Sequence, residues 1–400
     1  MALAALVAIP LPAIGAEKPK VRAITAFVKL DRARYQHQVH EALGMLRQAR
    51  QAFQQAGYEV QSLRIATQPF PEYVRGLSRE EALAFFKEYD ELARAEQFDP
   101  AIGPAMPLDS DDAAQADLLV DILRQTKLLN ASLTVADEQG VHWRGVRAAA
   151  RIVKSLSETS PQANFNFAAA ARVPSGTPFF PAAYHNGEGH EFAIGLESAN
   201  VVAEALASSR DPELARHALE LALGQYADQI EQVALTVELR TGWKYGGLDL
   251  SPAPLKQVSI GAAIEGFTGH HVGASGTMTA VAVITGVLRS LPVKRAGYSG
   301  LMLPVLEDET LARRWSEGAI TVDELLAYSA VCGTGLDTVP LPGEITAEQL
   351  ERIIGDMATM AVRLQKPLSA RLMPVAGKRA GDKTEFNDPF LVNAVLQPLP

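Results

Sequence analysis

The 400-residue chain has one cysteine, Cys332, in the stretch Tyr328–Asp337 (YSAVCGTGLD). A cysteine does nucleophilic chemistry as its thiolate, which a cationic neighbour favours and an electronegative helix C-terminus disfavours. Gly333 suits a helix stop directly after it. Two readings stand: a nucleophile or proton donor, and a buried, inert thiol. A second group is His185-Asn-Gly-Glu188-Gly-His190, which follows the proline- and aromatic-rich Phe179–Pro181. Two histidines and a glutamate within six residues can bind a metal or supply an acid–base pair. The two glycines exclude the helix on which a HExxH metal site is built, so no metal is assigned. His270 and His271 are adjacent; on a strand they point to opposite faces, so one of them at most faces a site. The carboxylates Asp249, Glu265, Glu307, Asp308 and Asp337 stand beside unusual backbone sequence. Surface ion pairs account for most carboxylates, but Asp249 in GLDLSPAP and Asp337 in GTGLDTVPLPG sit among apolar residues. A buried aspartate needs a cation, a metal or several backbone N–H groups.

Glycine concentrates where these groups lie. Fifteen of the 30 glycines fall between Arg240 and Gly343, in the runs 242–249, 266–276, 297–300 and 333–337. None is a dinucleotide fingerprint or a Walker loop: GASGTM lacks the lysine, and no G-x-G-x-x-G follows a strand. Tight turns between strands are one explanation. A ligand-binding region, where bare backbone approaches a bound molecule, is the other. In the second case the loops 242–254, 266–276, 297–308 and 332–343 converge on one cavity.

The elements that must position these groups alternate along the chain. VRAITAFV (Val21–Val28) reads as a buried strand, and the amphipathic Tyr35–Gln55 reads as a helix. Tyr58–Ala66, Ala131–Val135, Asn164–Ala170 and Glu191–Leu196 read as strands. Helices are expected from Ser78 to about Gln97, over Asp111–Lys127, Trp143–Ser157 and Asp211–Leu239. Ser78 with Glu81, Thr321 with Glu324 and Thr346 with Gln349 are capping boxes. Strand–helix alternation without a Pro/Ser-rich linker means one α/β domain, as a barrel or an open sheet.

Composition narrows the function. Hydrophobic residues at 48% and charged residues at 21% describe a folded globular chain, not a disordered one. The net charge of −9, without a basic run, excludes a nucleic-acid binder. A single cysteine excludes an intrachain disulfide framework and any cysteine-cluster metal site. Residues 1–16 carry no charge and end in Gly15 and Ala16, which reads as a secretory signal cleaved near Glu17. A buried N-terminal strand or an unstructured tail is the alternative. Export places the protein in the periplasm or outside the cell; otherwise it is cytoplasmic. No stretch reaches the 18 or so apolar residues of a membrane span.

The segments 242–254 (GWKYGGLDLSPAP), 273–285 (GASGTMTAVAVIT), 297–308 (GYSGLMLPVLED) and 328–343 (YSAVCGTGLDTVPLPG) resemble the signature stretches of domain of unknown function 711, also called the pyruvate formate-lyase-like "PFL family". FFPAAYH (179–185) and GYEVQSLRIAT (57–67) fit as well, so the resemblance runs from about Val21 to the C-terminus. It implies an α/β barrel-like domain over residues 17–400, like the ten-stranded α/β barrel of glycyl radical enzymes. It also implies that Cys332 occupies the hairpin that carries the thiyl cysteine there. Radical chemistry itself is not expected. The nearest approach to a glycyl radical segment, Lys294-Arg-Ala-Gly-Tyr298, precedes Cys332, and the tail offers only Gly377 and Gly381.

The expected function is a non-radical enzyme acting on a small polar or anionic molecule in a glycine-lined cavity; the alternative is an inactive small-molecule binder with the same barrel. In the enzyme, Cys332 is nucleophile or proton donor, with His185 or His270 as its acid–base partner. Asp337, Asp249 and Ser251 orient substrate, and Arg240 and Lys244 receive a carboxylate or phosphate. His271, Ser299 and Thr334 complete the polar lining. No cofactor is assigned. The partner is a small-molecule ligand, with a homo-oligomer left open.

Overall fold

Each parallel strand followed by an amphipathic helix must bury that helix against a sheet. The computed structural model describes residues 17–160, 162–187 and 189–399, and builds these units around one sheet. Residues 1–16, read above as a signal, and Glu188 lie outside the described residues. In chain order the elements are β1 (Lys20–Val28), α1 (Tyr35–Gln55), β2 (Val60–Thr67), α2 (Phe70–Tyr73), α3 (Arg79–Glu96), β3 (Asp99–Ala105), α4 (Ala114–Gln125), β4 (Asn130–Ala136), α5 (Trp143–Ser157) and β5 (Phe167–Ala171). There follow β6 (Glu191–Glu197), α6 (Ala199–Ala207), α7 (Pro212–Thr241), β7 (Lys244–Asp249), α8 (Ile260–Thr268), α9 (Thr277–Ser290), α10 (Glu309–Ser316), α11 (Val322–Ser329), β8 (Gly335–Pro342), α12 (Ala347–Leu364) and β9 (Leu368–Val375).

The nine strands form one sheet in the order β7-β6-β1-β2-β3-β4-β5-β9-β8. Strands β1 to β5 run parallel to one another. On one side β6 pairs antiparallel with β1 and carries β7 parallel to itself. On the other, β9 pairs antiparallel with β5 and carries β8. The sheet thus contains two parallel sets of opposite direction. Its outer strands β7 and β8 both touch one segment, 294–304. The Leu248 amide donates to the Lys294 carbonyl at 2.8 Å, Ala296 donates to Leu248 at 3.0 Å, and Pro304 bridges Asp337. The domain is single and α/β, as expected, on nine strands where the resemblance implied ten, with this segment lying against both edges of the sheet.

The local signals explain the helices. All three capping boxes form, at Ser78/Glu81, Thr321/Glu324 and Thr346/Gln349. Asp211 accepts from Glu213 and Leu214 at the start of α7, Pro212 is its first residue, and Gly242 ends it in the left-handed region. Two expectations shift. Helix α4 starts at Ala114, not Asp111. Asn164 lies in a 3₁₀ turn, and the strand begins only at Phe167.

The helices cover one face of the sheet and make the main core. The other face is lined by small and aromatic residues: Phe27 of β1, Ala66 of β2, Ala101 of β3 and Ala193 of β6. The three alanines leave the space into which the β5–β6 connection folds, bringing Phe180 and Ala183 against them. Burying Phe27 and Phe180 contributes about 1.5–3 kcal/mol each. This second face, crossed by a loop, holds the polar groups described next.

Candidate functional site

Three strands each carry one arginine inside an apolar run: Arg22 in β1, Arg64 in β2 and Arg371 in β9. All three line a cavity of about 340 Å³, together with Glu307, Asp249 and the rings Phe165, Phe179, Phe180 and Phe390. The cavity lies where β1 to β4 begin and β6 and β7 end. At Arg22 the β1–β6 register shifts between Val21 and Ala23, and such a bulge re-aims the side chain.

Two of the arginines are consumed by carboxylates. Arg371 donates from Nε to Asp337 Oδ1 at 2.7 Å and from Nη2 to Glu307 Oε1. Arg22 donates from Nη2 to the other oxygen of Glu307 at 2.8 Å and lies 3.8 Å from Glu197. Glu197 also accepts from Gln61 at 2.8 Å. The result is a buried chain, Asp337–Arg371–Glu307–Arg22–Glu197, whose side chains at the Asp337 end are at most 6% exposed. Such a chain is fixed because removing any one member strands a buried charge. Burial pushes the Asp337 carboxyl above its ordinary value, against the pull of Arg371 and reinforced by the nearby charge of Glu307. Its second oxygen, Oδ2, is buried without a hydrogen-bond partner, as is Thr334 Oγ1.

Arg64 differs. Its Nε donates to Ser62 Oγ at 3.1 Å, and its nearest carboxylate, Asp99, is 3.6 Å away and half-exposed. Its guanidinium carbon sits 4.7 Å from the centre of the Phe180 ring. Burial draws its pKa down to about 10, which leaves it cationic at neutral pH. Among the three arginines of the cavity, this is the one that no carboxylate holds tightly.

Asp249 ends β7 and is clamped by donors. Ser251 donates from both its amide (3.0 Å) and its hydroxyl (2.6 Å), and the Tyr298 and Ser299 amides each donate at 3.1 Å. Burial still raises its pKa against these four donors. Tyr298 and Ser299 can reach it because Gly297 has no Cβ: a Cβ there would run into the Asp249 carboxylate. Ser299 (φ 41°) and Thr338 (φ 43°) occupy the left-handed region, unusual for these residues and very unusual for a β-branched one.

The residues anticipated from sequence divide into three groups. Asp249 and Ser251 line the cavity, and Asp337 stands directly behind Arg371. Ser299 and Thr334 are buried nearby without being among the lining residues of the cavity. The others are elsewhere. Cys332 is 0% exposed and is not among the lining residues of this cavity; it follows α11, with its carbonyl accepting from Lys366 Nζ. His185 is buried in the β5–β6 connection, its Nε2 3.2 Å from the Gly189 carbonyl and its ring beside Phe27. His190 stacks on Trp243 at 4.7 Å. His270 and His271 are exposed in the α8–α9 connection, so three of the four glycine-rich loops meet near the cavity and 266–276 does not. Arg240 is exposed at the end of α7, and Lys244 is exposed and paired with Glu191 at 2.8 Å. Asp308 is a double cap, accepting from Ile260 and Gly261 of α8 and from Thr310 and Leu311 of α10. Glu265 pairs with Arg314. The residues that sequence reasoning missed are Arg22, Arg64, Arg371 and Glu197. Their signal was an arginine within each apolar strand run, and a glutamate closing another.

The chain matches the family model described as Uncharacterised ACR (DUF711) over residues 13–387. A UPF0210 protein of Pyrobaculum arsenaticum is 37% identical, over 68% of this chain and 62% of its own length. One of Pyrobaculum aerophilum is 34% identical over 72% of this chain and 66% of its own, and one of Pyrobaculum islandicum is 31% identical over 82% and 76%. The match therefore covers just under two thirds of the first two relatives. These findings correct the expectation of a signal peptide and a periplasmic protein. The family match takes in residues 13–16, the end of the segment read as a leader. No helix among the described residues is long and apolar enough to cross a membrane. On the extent of the family match and these identities, the chain belongs to the Uncharacterised ACR (DUF711) family.

Proposed function

We propose that the chain is an enzyme acting on a small carboxylate bound in the arginine-lined cavity. The observation that carries this reading is Arg64. It is fixed over Phe180 and beside Ser62, it lines the cavity, and it lacks the close carboxylate that Arg22 and Arg371 both have. A guanidinium of this kind presents paired N–H donors to a planar carboxylate. Phe165, Phe179, Phe180 and Phe390 would enclose the apolar body of the ligand. The Asp337–Arg371–Glu307–Arg22 chain would hold the opposing wall rigid, so that the ligand enters a site that is already ordered.

Catalysis, beyond binding, is supported by strain. Ser299 at positive φ holds the cavity-lining Asp249, and Asp337, next to Thr338 at positive φ and with an unpartnered Oδ2, holds the cavity-lining Arg371. Each such backbone conformation costs on the order of 1–3 kcal/mol and clusters at active sites. In this reading Cys332 is not the nucleophile, because it is buried away from the cavity. The binding-protein reading is favoured by a different observation: the carboxylates of Asp249 and Glu307 are already engaged by donors inside the fold. Calorimetric titration with acetate, succinate, benzoate and phenylacetate tests the shared premise. Saturable binding by one of them, lost in Arg64→Gln, supports it, and no binding by any overturns it. Product analysis after incubation with the bound acid then separates enzyme from binder.

A further inference from the structure

The sheet has a second cavity at its other end, where β1 and β5 finish and β6, β7 and β9 begin. It measures about 470 Å³ and shares none of its lining residues with the first. Three cations line it from three different elements. Arg289 closes α9, Arg295 belongs to the segment that bridges the sheet edges, and Lys366 stands in the turn between α12 and β9. Glu191 is the one carboxylate among the described lining residues, and it is already 2.8 Å from Lys244.

Arg289 and Arg295 are exposed, and by themselves they would be ordinary solvated side chains. Lys366 is not: it is 7% exposed, and among the described residues no carboxylate pairs with it. Its ammonium donates to the Ser329 carbonyl at 2.9 Å and to the Cys332 carbonyl, at the end of α11. An ammonium has three donors, so one remains for the cavity. The charge of Arg289 acts on Lys366 repulsively, and burial also works against the Lys366 charge. Cations held together with one carboxylate that is engaged elsewhere are relieved by an anion between them. Among the described residues the Arg295 guanidinium is bonded only to the Leu291 carbonyl, at 3.3 Å, and Arg289 has no partner. Both arginines therefore have donors to spare.

We propose that this second cavity binds a phosphate group, as inorganic phosphate or as the head of a phosphate monoester. A tetrahedral dianion accepts hydrogen bonds in several directions at once, which suits three cations converging from separate elements. A planar monoanionic carboxylate would satisfy one guanidinium and leave the rest. Gly246 and Gly297 line the same space and present backbone without side chains.

The full chain is titrated calorimetrically at fixed ionic strength with inorganic phosphate and, separately, glycerol 3-phosphate. Saturable binding is expected for at least one of them, weakened at least tenfold in the double variant Arg289→Gln/Arg295→Gln. These two residues are exposed, so the variant folds without disturbing the core. Arg64→Gln is expected to keep wild-type phosphate affinity, which separates this site from the carboxylate site. Tighter binding of the monoester identifies a phosphorylated metabolite as the ligand, and preference for phosphate identifies the free ion. Absence of saturable binding by both probes, or equal affinity in the double variant, overturns the proposal. Loss of affinity in Arg64→Gln matching that of the double variant also overturns it, because it places the anion in the first cavity.

Discussion

The guanidinium of Arg64 lies 4.7 Å from the centre of the Phe180 ring, so a strand residue and a residue of the loop packed on the second sheet face define one wall of the cavity. Stacking holds the cation in place by a contact worth about 0.5–2 kcal/mol without using its hydrogen-bond donors. Arg64→Gln should therefore cost about 0.5–2 kcal/mol of stability, too little to unfold the protein, and remove the ligand's anchor. A charged hydrogen bond contributes about 1.5–3 kcal/mol, or roughly a 10- to 150-fold loss of carboxylate affinity. Arg64→Lys should recover only part of it, since an ammonium cannot stack and fork together. Equal affinity in wild type and Arg64→Gln would show that the carboxylate binds elsewhere.

Arg371 and Asp337 make the opposite kind of pair, buried and mutually dependent. Arg371→Met strands Asp337 and leaves Glu307 to Arg22 alone, and Asp337→Asn leaves Arg371 with one carboxylate fewer. The first should cost about 3–5 kcal/mol in urea unfolding, as breaking a buried ion pair does. The second should cost less, because Glu307 still compensates Arg371. If Arg371→Met unfolds at the wild-type urea midpoint, the buried chain is not what holds this wall.

These arginines also show where the sequence was legible. Helices α1, α3, α4, α5, α7, α11 and α12 and the strands β1, β2, β4 and β6 follow from apolar periodicity and from side-chain caps, which act locally. Strands β3 (DPAIGPA), β7 (KYGGLD), β8 (GLDTVPLP) and β9 were not visible, because β3, β7 and β8 are interrupted by proline or glycine that lower strand propensity. They are held by their neighbours in the sheet, which no local pattern encodes. Asp249, Asp337 and Glu307 could be singled out as carboxylates in apolar surroundings. Their partners could not, since Arg22, Arg64 and Arg371 are brought together only by the strand order β1–β2 and β5–β9. Cys332 attracted notice by chemistry alone, and its burial was decided by packing.

Cys332 provides a direct test of that packing. At 0% exposure it should resist a thiol reagent such as 5,5′-dithiobis(2-nitrobenzoic acid) in the native protein and react fully in denaturant. Cys332→Ala removes a small buried side chain and should cost on the order of 1–3 kcal/mol, with carboxylate and phosphate affinity unchanged. Rapid native labelling, or loss of ligand binding in Cys332→Ala, would restore the thiol to the site.

His185 predicts a pH dependence. Burial draws its pKa below the ordinary value, more than the Gly189 carbonyl and Glu191 raise it. The folded state therefore releases this proton more readily than the unfolded chain does. Stability contributed by the neutral ring is present above the unfolded pKa, about 6.5, and is lost as pH falls from there toward the lower folded value. Wild type should thus lose more melting temperature between pH 7.5 and 5.5 than His185→Gln, which has no such proton. Parallel melting curves for the two proteins across that range would remove His185 as the cause.

Gly297 joins both cavities through Asp249. Its φ of 61° is a left-handed conformation, and a Cβ added there would strike the Asp249 carboxylate and come within 3.2 Å of Pro178. That carboxylate accepts from the Tyr298 and Ser299 amides immediately after the glycine, so the turn and the aspartate fix each other. Asp249 lines the first cavity, while Gly297, Tyr298 and Ser299 line the second. Gly297→Ala should then carry two penalties. The positive φ costs about 1–3 kcal/mol by itself, and overpacking against Asp249 adds about 1–3 kcal/mol. Gly377→Ala is the control, because Gly377 has φ 76° with open space where the Cβ would go, and it should show the first penalty alone. The displaced carboxylate should also weaken binding in both cavities in Gly297→Ala and in neither for Gly377→Ala. Equal unfolding free energies for the two variants would mean that Asp249 yields freely, and that the wall between the cavities is not fixed by this turn.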